Sequence, residues 1–207
     1  MKPAAGSPQA GWLYWCGWFL CRMAGRIVWR MRIYGAEKVP RTGPIIVACN
    51  HQSYLDPPMM GSACPRAISY MAKRELFAIP VLGPLIGHLN AFPVDRSRGD
   101  VAAIKRAVQA LREGRALGIF PEGGRNRTGG PVEPQAGIGL MIKLAGGATV
   151  VPAYVGGTDR AKALHSITVT FGDPIRFERK ERASREDVAK WTAEIMTRIY
   201  ALRGAHG

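Results

Sequence analysis

The chain has 207 residues, enough for one domain with a sizeable core, and its 47% hydrophobic and 21% charged content is typical of a folded protein. Its 29 Lys and Arg against 15 Asp and Glu give a formal charge of +14, which favours nucleic acid, anionic lipid headgroups or phosphorylated substrates as partners. The four cysteines form no Cys-x-x-Cys pair, and the sequence shows no secretion signal. This argues against a disulfide-stapled secreted protein and against a zinc site, so we expect reduced thiols in a protein that faces the cytosol.

An aromatic and cationic segment follows a loose start over residues 1–11. Four of the five tryptophans lie between positions 12 and 29, and arginines interleave with them or follow them. The uncharged apolar part covers about 10–12 residues, which is too short for a bilayer crossing of about 20. Because Trp and Tyr favour the membrane–water interface and Arg reaches headgroup phosphates, we interpret residues 12–32 as one or two interfacial helices. The alternative is an amphipathic helix that covers the domain's own core.

A turn after a buried strand carries the first candidate for chemistry. The apolar run 45–49 predicts a strand, and Asn-His-Gln-Ser-Tyr-Leu-Asp over residues 50–56 follows it directly. Two prolines then open a helix that we expect to end near residues 61–64. Imidazole is the side chain best suited to move protons near neutral pH, and a nearby carboxylate can fix its tautomer. His51 and Asp56 are therefore either a proton-transfer pair, or a turn cap and the N-cap of the following helix.

The middle of the chain alternates strand and helix patterns. Strands are predicted over residues 67–71 and 90–96, and residues 76–89 between them form an apolar helical stretch broken by prolines and glycines. That stretch predicts a shallow lid or one wall of an apolar channel, or simply a kinked, buried helix. Asp100 then caps an amphipathic helix that Gly114 ends.

The remaining patterns complete an α/β domain. Residues 34–40 predict only a short extended link. Further strands are predicted over residues 116–120, 149–155 and 167–171, and further helices over 138–145 and after the capping box Ser184-x-x-Asp187. Strands that alternate with helices indicate a single α/β domain with a mixed, mostly parallel sheet flanked by helices, behind the amino-terminal interfacial helices.

Polar clusters follow three of the predicted strands. They are His51 with Asp56, Asp95 with Arg96, and Glu122 with Arg125 and Arg127. In open α/β sheets, ligands bind beyond the strand ends, so clusters at several ends can converge on one pocket. The glycines of loop 121–130 allow close backbone approach, and arginine supplies planar donors suited to phosphate. The alternative for this loop alone is a flexible, solvated basic segment. It matches neither the Walker A pattern nor the dinucleotide fingerprint.

Taken in order, these blocks resemble the glycerolipid acyltransferase family, in particular bacterial 1-acylglycerol-3-phosphate acyltransferases. Residues 50–56 match the family's His-x4-Asp block, and Phe-Pro-Val-Asp-Arg over 92–96 is similar to its second block. Phe-Pro-Glu-Gly-Gly-Arg over 120–125 is similar to the third, and Val-Val-Pro-Ala over 150–153 to the fourth. His-x4-Asp alone is a weak signal, whereas four blocks in order are specific. One departure is Gly124, which stands where the family usually has Thr, so one hydroxyl is missing from the loop.

The resemblance implies a catalytic domain over residues 35–207 behind a membrane-interface helical segment over residues 1–34. It implies transfer of an acyl chain from acyl-CoA or acyl carrier protein to the free sn-2 hydroxyl of 1-acyl-glycerol-3-phosphate, which gives phosphatidic acid. His51 would be the general base and Asp56 would orient it, with no acyl-enzyme. The residues implied in substrate binding are Arg96, Glu122, Gly123, Arg125, Arg127 and Pro152, the last on the acyl-donor side.

The same resemblance predicts the surroundings of the enzyme. We expect no metal and no cofactor, since a histidine–carboxylate pair can supply the proton transfer alone. The expected partners are an anionic membrane surface, a lysophospholipid acceptor and the acyl donor, without nucleic acid. The expected location is the cytoplasmic face of the cell membrane, with the chain bound as a peripheral or monotopic protein.

Several alternatives stay open on the sequence. Another acceptor, such as glycerol 3-phosphate, a lysophospholipid or a lyso-aminolipid, would suit the same apparatus. A hydrolase that activates water with His51 and Asp56 is the enzymatic rival. A nucleic-acid-binding protein would explain the charge, although the sequence carries no such signature, and a membrane scaffold would explain residues 12–32 but not the polar strand ends.

Overall fold

The computed structural model, which describes residues 10–95, 100–126, 128, 130, 132–160, 162, 164–178 and 183–205, is built around one mixed sheet. Its strands in these ranges are β1 (Arg32–Tyr34), β2 (Ile45–Cys49), β3 (Ile68–Lys73), β4 (Ala91–Val94), β5 (Ala116–Ile119), β6 (Ala148–Gly156), β7 (Thr168–Phe171) and β8 (Ile175–Phe177). The strand order is β1-β7-β6-β2-β5-β3-β4, and β8 also pairs with β6. All pairs are parallel except β6 with β7 and β6 with β8, which confirms the predicted single α/β domain with a mostly parallel sheet.

Helices cover both faces of this sheet. Within the described ranges they are α1 (Trp12–Trp29), α2 (Asp56–Ala63), α3 (Leu82–His88), α4 (Val101–Arg112), α5 (Gly137–Ala145) and α6 (Arg185–Ala201), with 3₁₀ helices over Ala36–Lys38 and Arg74–Ala78. The core on one face is shared with α2 and the chain that follows α1. The core on the other face is shared with α4, α5 and α6. The sheet is therefore apolar on both faces, as central parallel strands usually are.

The central strand β2 fixes where the polar clusters lie. All five of its residues are buried, and it pairs in parallel with β5 on one side and β6 on the other. Strand β3 in turn pairs in parallel with β5. The carboxyl ends of these four strands consequently lie at one edge of the sheet, which we call the carboxyl edge.

Two helix starts agree with their predicted caps. The Asp100 side chain accepts a hydrogen bond from the backbone N–H of Ala103 at 2.9 Å, and Gly114 takes a φ of 73° just beyond the end of α4. Ser184 and Asp187 form the predicted reciprocal capping box before α6. Short polar side chains at these positions satisfy backbone donors that the helix leaves unpaired.

One local prediction and one alternative are wrong, and one strand was not predicted. Residues 34–40 are not simply an extended link, because they include the end of β1 and a 3₁₀ helix over Ala36–Lys38. Strand β8 carried no recognised signal, since three residues are too few to show a periodicity. Residues 76–89 are not a buried helix: α3 is only seven residues long, and most of its side chains are partly or fully exposed.

The amino-terminal aromatic segment forms one helix, α1, with two different faces. On the inner face, Tyr14 is buried and its hydroxyl accepts a hydrogen bond from the Ile68 backbone N–H at 2.9 Å. Trp18 Nε1 donates to the Cys64 carbonyl, and Arg22 donates to the Ser62 carbonyl. The outer face exposes large apolar side chains, among them Trp12, Leu13, Phe19, Leu20, Met23 and Ile27. None of the helices in the described ranges is both long and apolar enough to cross a bilayer.

Candidate active site

The site begins where β2 leaves the sheet. Asn50, which is buried, donates from Nδ2 to the Val155 carbonyl at 2.9 Å and accepts from the Val155 N–H at 2.7 Å. This two-way bond replaces one rung of the β2–β6 ladder with a side chain. It fixes the direction in which the chain exits, so His51 lies at the carboxyl edge.

The next residues form the histidine–carboxylate pair. His51 Nδ1 lies 2.9 Å from Asp56 Oδ2, and the same oxygen accepts the backbone N–H groups of Gln52 at 2.6 Å and Ser53 at 2.7 Å. Asp56 is fully buried and is the first residue of α2, whereas Leu55 occupies the N-cap position. The alternative in which Asp56 caps the helix is therefore wrong. The turn instead folds the carboxylate back onto the imidazole.

Thr158 completes the hydrogen bonding of the carboxylate, and the sequence did not identify it. Its buried hydroxyl donates a short hydrogen bond to Asp56 Oδ1 from 102 residues further along the chain. Both oxygens of Asp56 are thus held by hydrogen-bond donors, which offset the cost of burying the carboxyl group. Sequence reasoning missed Thr158 because it lies far from Asp56 in the chain and belongs to none of the recognised motifs. It follows Gly156, the last residue of β6, and Gly157.

The loop after β5 packs against His51. The Phe120 ring is stacked on the imidazole with 4.3 Å between ring centroids, and the Asn126 N–H donates to the His51 carbonyl at 2.7 Å. Gly123 takes a φ of 70°, and a Cβ there would lie 2.4 Å from the Gln135 side chain. A glycine is therefore required at position 123 both by backbone conformation and by space. Gly124 beside it has open space around its Cα.

Glu122 lies in this loop and is held by the last helix. The Tyr200 hydroxyl of α6 donates to Glu122 Oε1 at 2.9 Å, and Glu122 Oε2 is buried without a hydrogen-bond partner among the described groups. Burial raises the pKa of the Glu122 carboxyl, while the Tyr200 hydrogen bond and the nearby His51 oppose that shift. Burial and the Glu122 carboxylate raise the pKa of Tyr200 to about 12, so Tyr200 remains a donor at neutral pH. Tyr200 was also missed, because it lies 78 residues from its partner.

The predicted arginines are only partly described. Arg125 is half-buried, and its guanidinium carbon lies 3.7 Å from the ring centroid of the exposed Tyr54, an arrangement that fixes the guanidinium by a cation–π contact. Arg96 and Arg127 lie outside the described residues. The pair formed by Tyr54 and Arg125 links the His-x4-Asp turn to the loop after β5.

Pro152 lies apart from these groups, inside the sheet. It is buried in β6 opposite Ala48 of β2, and its carbonyl accepts the Gly172 N–H at 2.8 Å. On the side of β6 away from β2, residues 148–150 pair with β8 and residues 153–156 pair with β7. Pro152 lies between these two antiparallel pairings. A proline is tolerated there because no antiparallel rung is required of its missing N–H.

The geometry defines what the site can do. A carboxylate only accepts hydrogen bonds, so Nδ1 of His51 carries the hydrogen and Nε2 is left as the proton-accepting nitrogen. Within the described part of the chain, no group of three His, Cys, Asp or Glu side chains is arranged to hold a metal ion. The fold and site define a class of protein: an α/β protein with a buried histidine–carboxylate pair that packs against a glycine- and arginine-containing loop.

Comparison with known proteins names the family. The Acyltransferase family profile matches residues 30–156. The chain is 31% identical over 177 residues to 1-acyl-sn-glycerol-3-phosphate acyltransferase of Bacillus subtilis, which covers 83% of this chain and 87% of that protein. It is 33% identical over 107 residues to lyso-ornithine lipid O-acyltransferase of Pseudomonas aeruginosa, which covers 51% of this chain and 40% of that protein. The chain belongs to the Acyltransferase family and is an O-acyltransferase.

A solved structure supports the fold independently. The crystal structure of the 1-acyl-sn-glycerophosphate acyltransferase PlsC from Thermotoga maritima superposes with a TM-score of 0.70 at 22% identity, over 90% of this chain and 80% of that one. Membership of an acyltransferase family decides against the non-enzymatic interpretations of the basic charge. The acceptor, the acyl donor and the roles of individual residues are not decided by membership alone.

Proposed function

We propose that this acyltransferase transfers an acyl chain from acyl-CoA or acyl carrier protein to the free sn-2 hydroxyl of 1-acyl-glycerol-3-phosphate, giving phosphatidic acid. The observation that carries the proposal is the hydrogen bond of 2.9 Å between His51 Nδ1 and the buried Asp56 carboxylate, at the same edge of the sheet as Glu122 and Arg125. The Bacillus subtilis relative named for this activity supports the choice of acceptor.

The reaction requires two proton transfers, one from the acceptor hydroxyl to His51 and one from His51 to the leaving thiolate. His51 Nε2 accepts the proton of the acceptor hydroxyl while the hydroxyl oxygen attacks the thioester carbonyl. The new C–O bond forms, the C–S bond breaks, and the departing thiolate takes the proton from Nε2. Asp56 holds the tautomer and stabilises the imidazolium that exists between the two transfers. General-base assistance of this kind is typically worth about 10²–10⁴-fold in rate.

Neither nearby nucleophile is suited to form an acyl-enzyme. Burial raises the pKa of the Cys49 thiol well above its ordinary value, and the thiol is hydrogen-bonded to Asn50 Oδ1. The Ser53 hydroxyl accepts the Leu55 N–H in the turn. Direct attack by the acceptor hydroxyl therefore accounts for the site without a covalent intermediate.

The acceptor headgroup is assigned to the loop after β5, together with Arg96, which follows β4 in the sequence. Arg96, Arg125 and Arg127 would supply donors to the phosphate, and Glu122 Oε2 would accept from a neighbouring hydroxyl. Gly123 allows the loop backbone to approach, and Pro152 would shape the donor side. A second acceptor class, lyso-aminolipids, is favoured by the similarity to lyso-ornithine lipid O-acyltransferase and by Gly124, which removes a hydroxyl from this loop.

The surface of α1 supports a proposed location at a membrane. The outer face of α1 is apolar, and arginines flank it. The first 36 residues contain no Asp or Glu to neutralise these arginines. This combination suits the boundary between headgroups and acyl chains of an anionic leaflet. We place the protein on the cytoplasmic face of the cell membrane as a peripheral or monotopic enzyme. The division into a membrane-interface segment over residues 1–34 and a catalytic domain over residues 35–207 stays a prediction.

The test compares His51→Ala and Asp56→Asn with the unsubstituted enzyme. Acyl transfer from labelled acyl-CoA and acyl carrier protein is measured by lipid mass spectrometry against lysophosphatidic acid, glycerol 3-phosphate and a lyso-aminolipid. We expect lysophosphatidic acid to be the best acceptor and both variants to lose at least about 10²-fold in kcat with vesicle binding intact. Full activity of His51→Ala would contradict the mechanism, and free fatty acid released without an acceptor would indicate the hydrolase instead.

A further inference from the structure

The segment that follows β3 has an unusual backbone. Between the 3₁₀ helix Arg74–Ala78 and α3, the Leu82 N–H donates to the Pro80 carbonyl at 2.8 Å, which closes a three-residue turn around Val81. Val81 has a φ of 67° and a ψ of −50°, the geometry of the γ-turn that L-residues rarely adopt. A β-branched residue at positive φ is strained, so packing around this turn must impose the conformation.

The strained turn displays apolar side chains outward. Val81 is 82% exposed and Leu85, one turn into α3, is 52% exposed. Residues 76–87 contain no charged side chain. Gly83 explains part of the shape, because a Cβ there would lie 2.2 Å from the Phe77 carbonyl oxygen, so the turn is packed tightly on its inner side. The structure thus maintains a closely packed turn whose outward side is hydrophobic, which is unfavourable in water alone.

This segment adjoins α1. A Cβ on Gly17 of α1 would lie 2.8 Å from Leu89 Cδ2, just beyond the end of α3, so the two helices meet there. Gly17 stands beside the exposed apolar face of α1, and the apolar surfaces of the two elements are therefore neighbours. Basic side chains flank both elements. Arg26 and Arg30 are exposed at the end of α1, whereas Lys73 and Arg74 before the turn are exposed and paired with Glu75 at 3.0 Å and Asp100 at 3.7 Å.

The segment also lies at the correct edge of the sheet. Strand β3 is parallel to β5, and β5 is parallel to β2, so the end of β3 at Lys73 lies at the same carboxyl edge as His51. An apolar element inserted into a leaflet at this edge would hold the site against the membrane surface. A lipid leaflet suits these outward apolar side chains, and the basic excess at the end of α1 suits anionic headgroups, so a separate protein partner is not needed to cover the segment.

We propose that the segment from Ile79 to Leu85 is a second membrane-inserting element, which enters an anionic leaflet beside α1 and places the carboxyl edge at the bilayer surface. The proposal rests on the proposed function in that the acceptor is drawn from that leaflet. Its occupant is the lipid leaflet itself: the Val81 and Leu85 side chains enter the acyl-chain boundary, and Lys73 and Arg74 lie at the level of the phosphates.

The test uses one double variant and two matched single variants. Val81→Asn with Leu85→Asn removes the outward apolar groups, and Asn tolerates a positive φ better than other polar residues do. Leu85→Asn alone and Leu144→Asn make the same chemical change at side chains that are 52% and 44% exposed, and Leu144 lies at the end of α5 on the opposite face of the sheet. Partition onto vesicles of phosphatidylcholine and phosphatidylglycerol should fall at least about tenfold for the double variant, about threefold or more for Leu85→Asn and less than about twofold for Leu144→Asn. Equal partition of Leu85→Asn and Leu144→Asn, whether both are reduced or neither is, would overturn the proposal.

Activity on a soluble acceptor separates this proposal from the proposed function. With a short-chain lysophosphatidic acid below its critical micelle concentration, the Val81→Asn and Leu85→Asn pair should keep the turnover of the unsubstituted enzyme, while turnover on vesicle-borne acceptor falls with binding. Absence of turnover in the unsubstituted enzyme with every acceptor would contradict the proposed function and leave the vesicle comparison decisive. Loss of turnover on the soluble acceptor with unchanged partition would overturn the membrane assignment of the segment.

Amide hydrogen exchange on the unsubstituted chain gives a readout independent of variant folding. Vesicles should slow exchange over residues 79–88 and over the outer face of α1, and should leave residues 107–112 at the end of α4 unchanged. Protection confined to α1 would overturn the proposal, since it would show that α1 binds the leaflet alone.

Discussion

Both oxygens of the Asp56 carboxylate accept hydrogen bonds, and these bonds hold the side chain that positions His51. One oxygen receives Nδ1 of His51 and two backbone N–H groups, and the other receives the hydroxyl of Thr158. Thr158 lies on the chain that leaves β6, so the turn that carries His51 and Asp56 is connected to the strand beside it. Residues that orient a general base act on the rate without touching the substrate.

Thr158→Val is expected to lower kcat about tenfold to a hundredfold with little change in acceptor KM. Valine has nearly the same shape but leaves a buried carboxylate oxygen without its donor, a loss worth about 1.5–3 kcal/mol. Thr158→Ser keeps the hydroxyl and should restore most of the rate. Steady-state kinetics on both variants check this. An unchanged kcat in Thr158→Val, or a failure of Thr158→Ser to recover it, would show that Asp56 does not depend on Thr158.

Two adjacent glycines in the loop after β5 should respond in opposite ways to substitution. Gly123→Ala places a Cβ 2.4 Å from Gln135 at a φ of 70°, so we expect loss of stability and at least about tenfold lower kcat/KM for the acceptor. Gly124→Thr meets open space and restores the hydroxyl that the family usually has. It should leave thermal stability unchanged and raise kcat/KM for lysophosphatidic acid relative to a lyso-aminolipid.

The acceptor panel measured on these two variants provides the check. Because the two positions are neighbours, each variant serves as the control for general disturbance of the loop. Equal stability of the two variants would contradict the steric argument. An unchanged acceptor ratio in Gly124→Thr would show that the missing hydroxyl does not set the preference.

Predictability from sequence differed between local and remote contacts. His51 and Asp56 were predicted as a candidate pair because they share one turn within a five-residue spacing, and the caps at Asp100 and Ser184 act over three residues. Thr158 and Tyr200 were missed because they reach Asp56 and Glu122 across 102 and 78 residues, and only the completed sheet brings them together. A hydroxyl carries no sequence signal of its own until its partner is known.

The same physical limit applied to the elements. Long amphipathic helices and central apolar strands were predicted because a periodicity needs several turns or residues to show itself. Strands β1 and β8 have three residues each and exist through their pairing with β7 and β6. The sequence did not separate the seven-residue helix α3 from the residues before it. The turn at Val81 has a conformation that valine disfavours in an isolated peptide, and tertiary packing imposes it.

The two faces of α1 should contribute differently to folding. Tyr14→Phe removes the hydroxyl that accepts the buried Ile68 N–H, and we expect a loss of about 1–3 kcal/mol in the free energy of unfolding. Phe19→Ser, on the exposed face of the same helix, should change it by less than about 0.5 kcal/mol. Urea denaturation of both variants in the absence of lipid checks the contrast. Equal effects would mean that α1 is not anchored to the domain through Tyr14.

The whole molecule combines a large positive charge with apolar surface in one region. The formal charge is +14, yet the first 36 residues contain no carboxylate, so part of the excess is concentrated around α1. Electrostatic attraction to an anionic leaflet is screened over about 10 Å at 0.1 M salt, whereas apolar insertion is not screened. The two contributions can therefore be separated by ionic strength.

Binding to vesicles that contain phosphatidylglycerol should fall steeply as salt rises from about 0.1 to 0.5 M and then level off at the binding seen on phosphatidylcholine alone. The double variant Arg26→Gln with Arg32→Gln should lose much of the salt-sensitive binding. Its vesicle affinity at low salt should fall about tenfold or more, because each basic side chain near an anionic surface contributes about 1 kcal/mol. Lys190→Gln with Arg198→Gln on α6 makes the same change of two charges on the opposite face, from +14 to +12, and should have little effect. Equal losses from both pairs would show that net charge rather than its placement drives binding, and complete loss at high salt would show that the apolar face does not insert.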